Sequence, residues 1–411
     1  MISFEPSEEQ QIMRESVAQL AKASISERAR EFEAARRVAD DVRQAAAEMG
    51  LGAVVLPESC GGSGLGLTTL VLLEEELARA DAAAAFGLPG AGAFGLAVLE
   101  LGTEAQQAEL LAPFADGSPR FGAVAWSEPS PNRDRPGFST VAKPTAGGWE
   151  LTGKKCFVGN AADADRLVVF AQILDEKGHD AGWSGIGAFV VMRDNPGLAI
   201  GKRHETLGLD AAWFGAIELS GAKVASAARL DPNERAEPAD ATLAMLRFFA
   251  KYALVVAARA VGLAHFAFEL AREYCDTRKA FGKPIGHFQA VAFNLADRAM
   301  DVDAARWLVW RAAWSWDAKK PDRLCLGASA QAGAQALEVA MRCADDCVSL
   351  HGGAGFIRDV IAEKLMRDAK QLGLCGPTGA QLDQLAAAVE IGATLDPALL
   401  LPTPETQAIF T

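Results

Sequence analysis

Residues 278–289 read RKAFGKPIGHFQ. They place a cation (Arg278), an aromatic ring (Phe281), a Gly-Lys-Pro turn and an amide (Gln289) between two apolar helical stretches, with Tyr274 one helical turn earlier. A guanidinium and an amide are donors for an anionic ligand, and a ring beside them suits a planar one. Taken singly, Arg278 also fits a surface salt bridge and Phe281 a core position. A second run, HGGAGFIRDVIAEKLMRDAK at 351–370, opens on Gly352 and Gly353, a pair that lets backbone approach a ligand closely. Cys343 and Cys347 share a helix face at i, i+4, and His351 lies four residues on, so metal ligation is one reading. It lacks a fourth ligand, and the helix should end at the glycine pair; two packed thiols fit the spacing better. The glycine-rich PESCGGSGLG at 57–66 lacks the Gly-Lys-Ser/Thr ending of a phosphate loop and reads as a plain connection.

Three kinds of chain must position these residues. Residues 1–117 read mostly helical. Ser7 can cap a first helix running to about Arg30, 38–50 continues the pattern as far as Gly50, and 67–80 and 91–112 read as further helices. Between 118 and 232 the texture changes to short β-rich runs (RFGAVAWSE, GWELTGKKCFVG, DRLVVFAQI, GIGAFVVM, GAIELS) separated by Gly, Asp, Asn and Pro. That is the pattern of a small all-β domain. From 233 to 395 helices return and are long, at 238–275, 287–318, 322–349 and 361–372. They predict a four-helix bundle in which ALVVAARAVGLAHFAFEL, apolar on nearly every side, is the central buried helix. The tail, 396–411, is broken by Pro and is expected on the surface or against a partner.

The chain has 411 residues, half of them hydrophobic, which is enough for two or three domains with a large core. A net charge of −13 argues against nucleic acid or an acidic membrane surface as the main partner. Local cations and helix N-termini still suffice for an anionic cofactor. The N-terminus, MISFEPSEEQQ, has none of the basic and apolar regions of a signal peptide. The most apolar stretch, 253–270, carries Arg259, His265 and Glu269, so a buried helix is expected there and no membrane span. Seven scattered cysteines suggest a reducing, cytoplasmic setting.

The two motifs and the helical–β–helical order resemble the acyl-CoA dehydrogenase family, over essentially the whole chain to about residue 390. The resemblance implies an α+β fold: an N-terminal helical domain, a middle β-barrel or sandwich domain and a C-terminal four-helix bundle. It implies FAD as cofactor, an acyl-CoA thioester as substrate and an electron-transfer flavoprotein as acceptor. It also implies a homo-oligomer, or a heteromer with a related chain. In that family an Arg, a Phe and a Gln reach FAD across a subunit interface; here they are Arg278, Phe281 and Gln289. Gly352 and Gly353 take the place of the family's glycine pair, and Thr378 that of its Thr beside the dinucleotide. The family's Thr-Glu-Pro-x-x-Gly-Ser-Asp becomes Ser127-Glu128-Pro129-Ser130-Pro131-Asn132-Arg133-Asp134, following Trp126. Trp126 and Ser127 then belong to the flavin site, and Arg133 falls by the phosphate and pantetheine of the substrate. The next strand, Trp-Ile-Thr-Asn in the family, is Phe157-Val158-Gly159-Asn160. Phe157 keeps an aromatic wall for the flavin, while Gly159 removes a hydroxyl from its edge.

The family reaction takes an α proton and a β hydride from the acyl thioester, and a Glu carboxylate is the base. Aligned without gaps from Arg367-Asp368-Ala369-Lys370, that Glu falls on Gly376. The alternative home of the base, upstream of the first motif, falls on Tyr252, after Lys251, and no Asp or Glu occurs between Asp240 and Glu269. With an ordinary pKa of about 10, Tyr252 is a poor base at neutral pH; it also fits as a helix side chain facing the bundle. Gly376 keeps the backbone N–H that in the family donates to the thioester oxygen. Three readings stay open: a dehydrogenase with another base, a base-less partner subunit of one, and different flavin chemistry on the same fold.

Overall fold

The computed structural model describes residues 5–129, 137–231, 240–396 and 399–400. Helix α1 (Glu8–Ser24) starts where expected. Ser7 accepts from the Gln10 N–H and the Gln10 side chain accepts from the Ser7 N–H, a reciprocal cap on two free donors of the first turn. The helix ends at Ser24, short of the expected Arg30, and a tight turn at Ser26–Arg28 leads to α2 (Ala29–Ala35) and α3 (Asp40–Glu48). Helix α4 (Leu67–Gly87) runs seven residues past the expected end at 80 because it restarts at a kink. Asp81 leaves helical geometry there, and its carboxylate accepts from the Ala84 N–H at 2.6 Å. The helix expected over 91–112 is two, α5 (Gly92–Leu101) and α6 (Glu104–Leu111), because Thr103 opens a new capping box with Gln106.

The middle domain holds β1 (Phe121–Ala125), β2 (Val141–Thr145), β3 (Gly148–Gly159), β4 (Ala164–Ile173), β5 (Ile186–Met192), β6 (Leu198–Arg203), β7 (Phe214–Ala225) and β8 (Arg229–Leu230). They form one eight-stranded sheet in the order β6-β7-β3-β2-β4-β5-β8, with β1 paired to β4. The expected middle β domain is one hydrogen-bonded sheet with β6 and β8 at its ends. Strands β2 and β6 escape sequence reading because Lys143, Pro144, Lys202 and Arg203 break the apolar alternation. Both faces are covered. In β4, Leu167, Val169 and Ala171 enter the domain's own core, while Val168 and Phe170 join the core shared with the helices.

The C-terminal helices are α7 (Ala241–Thr277), α8 (Gln289–Asp317), α9 (Asp322–Leu350), α10 (Ala362–Leu372) and α11 (Gly379–Glu390). Helix α11 was not expected. Gly373, Gly376 and Pro377 suggest an end to helix, but Thr378 caps a new one. Helix α7 is the central helix: from Ala244 to Ala264 every residue but Arg247 and Lys251 is buried. It is long and apolar enough to cross a membrane, but 72% of its most apolar window is buried within the fold, as the charges at Arg259, His265 and Glu269 lead one to expect. It is a core helix. Helix α4 crosses it closely at Gly262, where a Cβ would overlap the Glu75 carbonyl.

One buried ionic cluster ties the three domains. Lys364 of α10 bonds Asp81 at the α4 kink and Asp368 one turn along its own helix (2.6 Å). Asp368 in turn accepts from the Leu209 N–H at 2.6 Å, ahead of β7. Burial works against the Lys364 charge, but two carboxylates outweigh it and hold its pKa above the ordinary lysine value.

Candidate active site

A cavity of about 120 Å³ lies between α4, the loop before α5, the edge of the sheet and α7. Phe157 stands at its outer side. A bulge between Lys155 and Val158 gives Phe157 a left-handed φ of 53° and turns its ring outward, where it is 61% exposed. The ring lies 4.8 Å from that of His204. Gly159 pairs with Phe214, whose ring would touch an added Cβ at 3.6 Å. Trp126 packs edge-on against Phe249 and Tyr252, each at 5.7 Å. A buried strap holds Trp126 and Ser127 in place. The Lys155 ammonium donates to the Trp126 carbonyl (3.1 Å) and to Glu128 (2.9 Å), and the Ser127 carbonyl accepts from the Cys156 N–H. Glu128 also accepts from the N–H groups of Ser139 and Thr140. Burial brings Lys155 down to about 8, and Lys155 keeps Glu128 below the usual carboxylate range despite burial.

Neither home of the base holds one. A Cβ at Gly376 would sit 3.6 Å from the Tyr252 ring and from Val256, so the position points at the cavity wall but carries no side chain. Burial pushes the Tyr252 phenol further above its ordinary range, and pushes the thiol of Cys375, which lines the cavity, to about 12. Among the described residues the one carboxylate lining the cavity is Glu74. Both its oxygens accept from Arg259, at 2.7 and 3.0 Å. That carboxylate is thus already engaged by Arg259, seven positions beyond Tyr252 on α7. Sequence reading missed this pair. Its signal was Arg259 alone in an apolar helix, a charge that needs a buried partner.

A second cluster forms at the far end of α7. Tyr274, whose carbonyl accepts from the Arg278 N–H, stacks at 4.2 Å on His351, the residue before Gly352. Phe281 is 97% exposed with a φ of 51°, which overturns the core reading. Arg278 is exposed and makes no ion pair among the described residues, so the salt-bridge reading also fails. Gly352 has a φ of 57°, and no atom lies within 4 Å of a Cβ built at either glycine. An uncovered ring, an unpaired guanidinium and an open glycine cradle fit a flat anionic dinucleotide. Tyr252 and Arg278 are separated by about 39 Å of continuous helix, so the two clusters of one chain cannot share one such molecule.

Thr378 is occupied locally: its hydroxyl accepts from the Gln381 N–H as the cap of α11. Arg133 lies outside the described residues. Cys343 and Cys347 are buried, which pushes both thiols to about 12. His351 Nδ1 donates to the Cys347 carbonyl at 2.7 Å, and no group of three or more His, Cys, Asp or Glu able to hold a metal is found among the described residues.

Helical domain, sheet domain and helical bundle, in that order around one cavity, are the parts of a three-domain flavoprotein. The chain belongs to the acyl-CoA dehydrogenase family. Residues 7–118 match its N-terminal domain, 123–222 its middle domain and 242–390 its C-terminal domain. FAD is the cofactor that goes with this fold. A probable acyl-CoA dehydrogenase of Bacillus subtilis is 31% identical over 95% of this chain and 100% of its own length. The mitochondrial short-chain specific acyl-CoA dehydrogenase of Bos taurus is also 31% identical, over 90% of this chain and 86% of that one. The solved butyryl-CoA dehydrogenase of Megasphaera elsdenii superposes with a TM-score of 0.85 at 28% identity, covering 95% of this chain and all of that one.

Proposed function

We propose that this chain is a base-less subunit of an FAD-dependent acyl-CoA dehydrogenase, an assembly that desaturates a short acyl-CoA between its α and β carbons. The observation that carries the reading is that neither Gly376 nor Tyr252 brings a carboxylate to the cavity, whose one acid among the described residues, Glu74, is paired with Arg259. In this reading the Gly376 N–H polarises the thioester oxygen, Trp126 and Tyr252 orient the acyl group, and the apolar lining excludes water. Bound FAD would supply the hydride acceptor. Desaturation itself, proton and hydride together, would take place in the cavity of a related chain that keeps its Glu, and an electron-transfer flavoprotein takes the electrons onward. A chain that turns over alone is the second reading, favoured by the intact cavity.

Assembly follows from the 39 Å argument, since Arg278, Phe281, Gln289, Gly352 and Gly353 would complete the FAD site of a neighbour. Helix α8 also exposes Phe293, Met300, Trp307 and Trp314 at seven-residue spacing, a stripe suited to a helix of another chain. Seven free, buried cysteines fit the cytoplasm.

The purified chain, loaded with FAD and mixed anaerobically with butyryl-CoA, should bind the thioester without bleaching the flavin. Bleaching would overturn the base-less reading and favour the second. Arg278→Ala should weaken FAD retention by about ten- to a hundredfold, the loss of a hydrogen bond to a charged group. Flavin-to-protein ratio after gel filtration measures it; unchanged occupancy would remove Arg278 from the site.

A further inference from the structure

The acyl cavity holds a charged pair that neither the flavin nor the thioester needs. Arg259 is 9% exposed and lines the cavity. Around it the wall is apolar: Leu70, Leu77, Phe86 and Val255. Its guanidinium lies 4.1 Å from the Phe86 ring centroid, so stacking fixes its plane. Nε and Nη2 donate to the two oxygens of Glu74. Nη1 has no hydrogen-bond partner among the described residues, yet it is not one of the atoms sealed away from solvent-sized space. Arg259 lines the cavity, so a ligand there is the partner within its reach.

Stability alone does not account for the pair, because apolar residues of similar volume commonly serve a buried site as well or better. An unmet N–H aimed into an enclosed space is a specificity element: it favours a ligand with an acceptor there and disfavours one without. The sign of the charge also matters. Glu74 already neutralises Arg259, so a second carboxylate would enter as an uncompensated buried charge, whereas a neutral oxygen would not.

We infer that Arg259, held in place by Glu74, is a specificity-determining residue that selects a short acyl group with a neutral oxygen acceptor, a keto or hydroxyl oxygen, at its far end. The inference rests on the acyl-CoA reading above. Gly376 faces the stretch of α7 from Tyr252 to Val256, about 5–10 Å along the axis from Arg259, so an acyl group of roughly five carbons at ~1.5 Å per bond spans the two. The cavity agrees, being small beside the roughly 300–1,000 Å³ of pockets for larger ligands.

The test compares three five-carbon thioesters on the FAD-loaded protein by titration calorimetry: pentanoyl-CoA, 4-oxopentanoyl-CoA and glutaryl-CoA. The expected result is 4-oxopentanoyl-CoA binding about tenfold tighter than pentanoyl-CoA, the worth of one hydrogen bond to a charged group. Glutaryl-CoA should bind weakest. The double variant Arg259→Met with Glu74→Gln, which leaves no unpaired buried charge, should bring the ratio of the first two to about one while keeping pentanoyl-CoA binding. Equal binding of the first two by the unmodified protein overturns the inference without any variant. Tightest binding of glutaryl-CoA overturns the neutral-acceptor class. A ratio that survives the double variant removes Arg259 from the role. If no thioester binds, the acyl-CoA reading itself falls and takes this one with it; if all three bind equally, only this one falls.

Discussion

Gly376→Glu should raise the rate of flavin reduction by acyl-CoA about 10²–10⁴-fold, the usual worth of a positioned general base. The position can take the side chain. An added Cβ meets the Tyr252 ring and Val256 at 3.6 Å, ordinary contact, and Gly376 is not among the residues with left-handed backbone. The new carboxylate would enter beside Trp126 and Tyr252, in a wall whose desolvation also raises its basicity. The backbone N–H that polarises the thioester oxygen is unchanged. Gly376→Gln, equal in shape but not a base, should stay as slow as the parent. Stopped-flow absorbance under anaerobic conditions separates the two. A Glu variant that holds FAD and thioester yet shows no reduction would mean the base is missing for another reason, and the partner-subunit reading would need a different foundation.

Lys364→Met should destabilise the fold by about 3–5 kcal/mol, because it leaves two buried carboxylates facing each other without their cation. Asp81 and Asp368 are both buried, and the lysine is the group they share. That loss is a large share of the ~5–15 kcal/mol by which domains are stable. The effect should be felt across domains, since Asp81 caps the second half of α4 and Asp368 holds the backbone at Leu209. Urea unfolding measures it directly. A loss below about 1 kcal/mol would show that the cluster is dispensable and that apolar packing alone docks the domains. The same result assigns part of the second motif to architecture: Lys364 and Asp368 lie within 351–370 but touch no candidate ligand site.

The sequence by itself determined the order of the three parts and proposed a dinucleotide cradle at residues 278–289 and 351–353. Both are local properties. Helical and strand periodicities are written in neighbouring residues, and the cradle is built from contiguous runs whose Gly, Arg and aromatic types carry their own chemistry. It also proposed Gly376 as an empty base position, by a short count from Arg367-Asp368-Ala369-Lys370. Only the tertiary structure decided what those local signals leave open. It showed that Phe281 is uncovered, and that α11 follows a stretch rich in Gly and Pro. It showed that Lys364 meets Asp81 across 283 residues and that Arg259 meets Glu74 across 185. A buried charge announces that a partner must exist, but which carboxylate supplies it depends on how α4 crosses α7 at Gly262 and where α10 docks, and those contacts are set by the packing of distant helices rather than by any neighbouring residue.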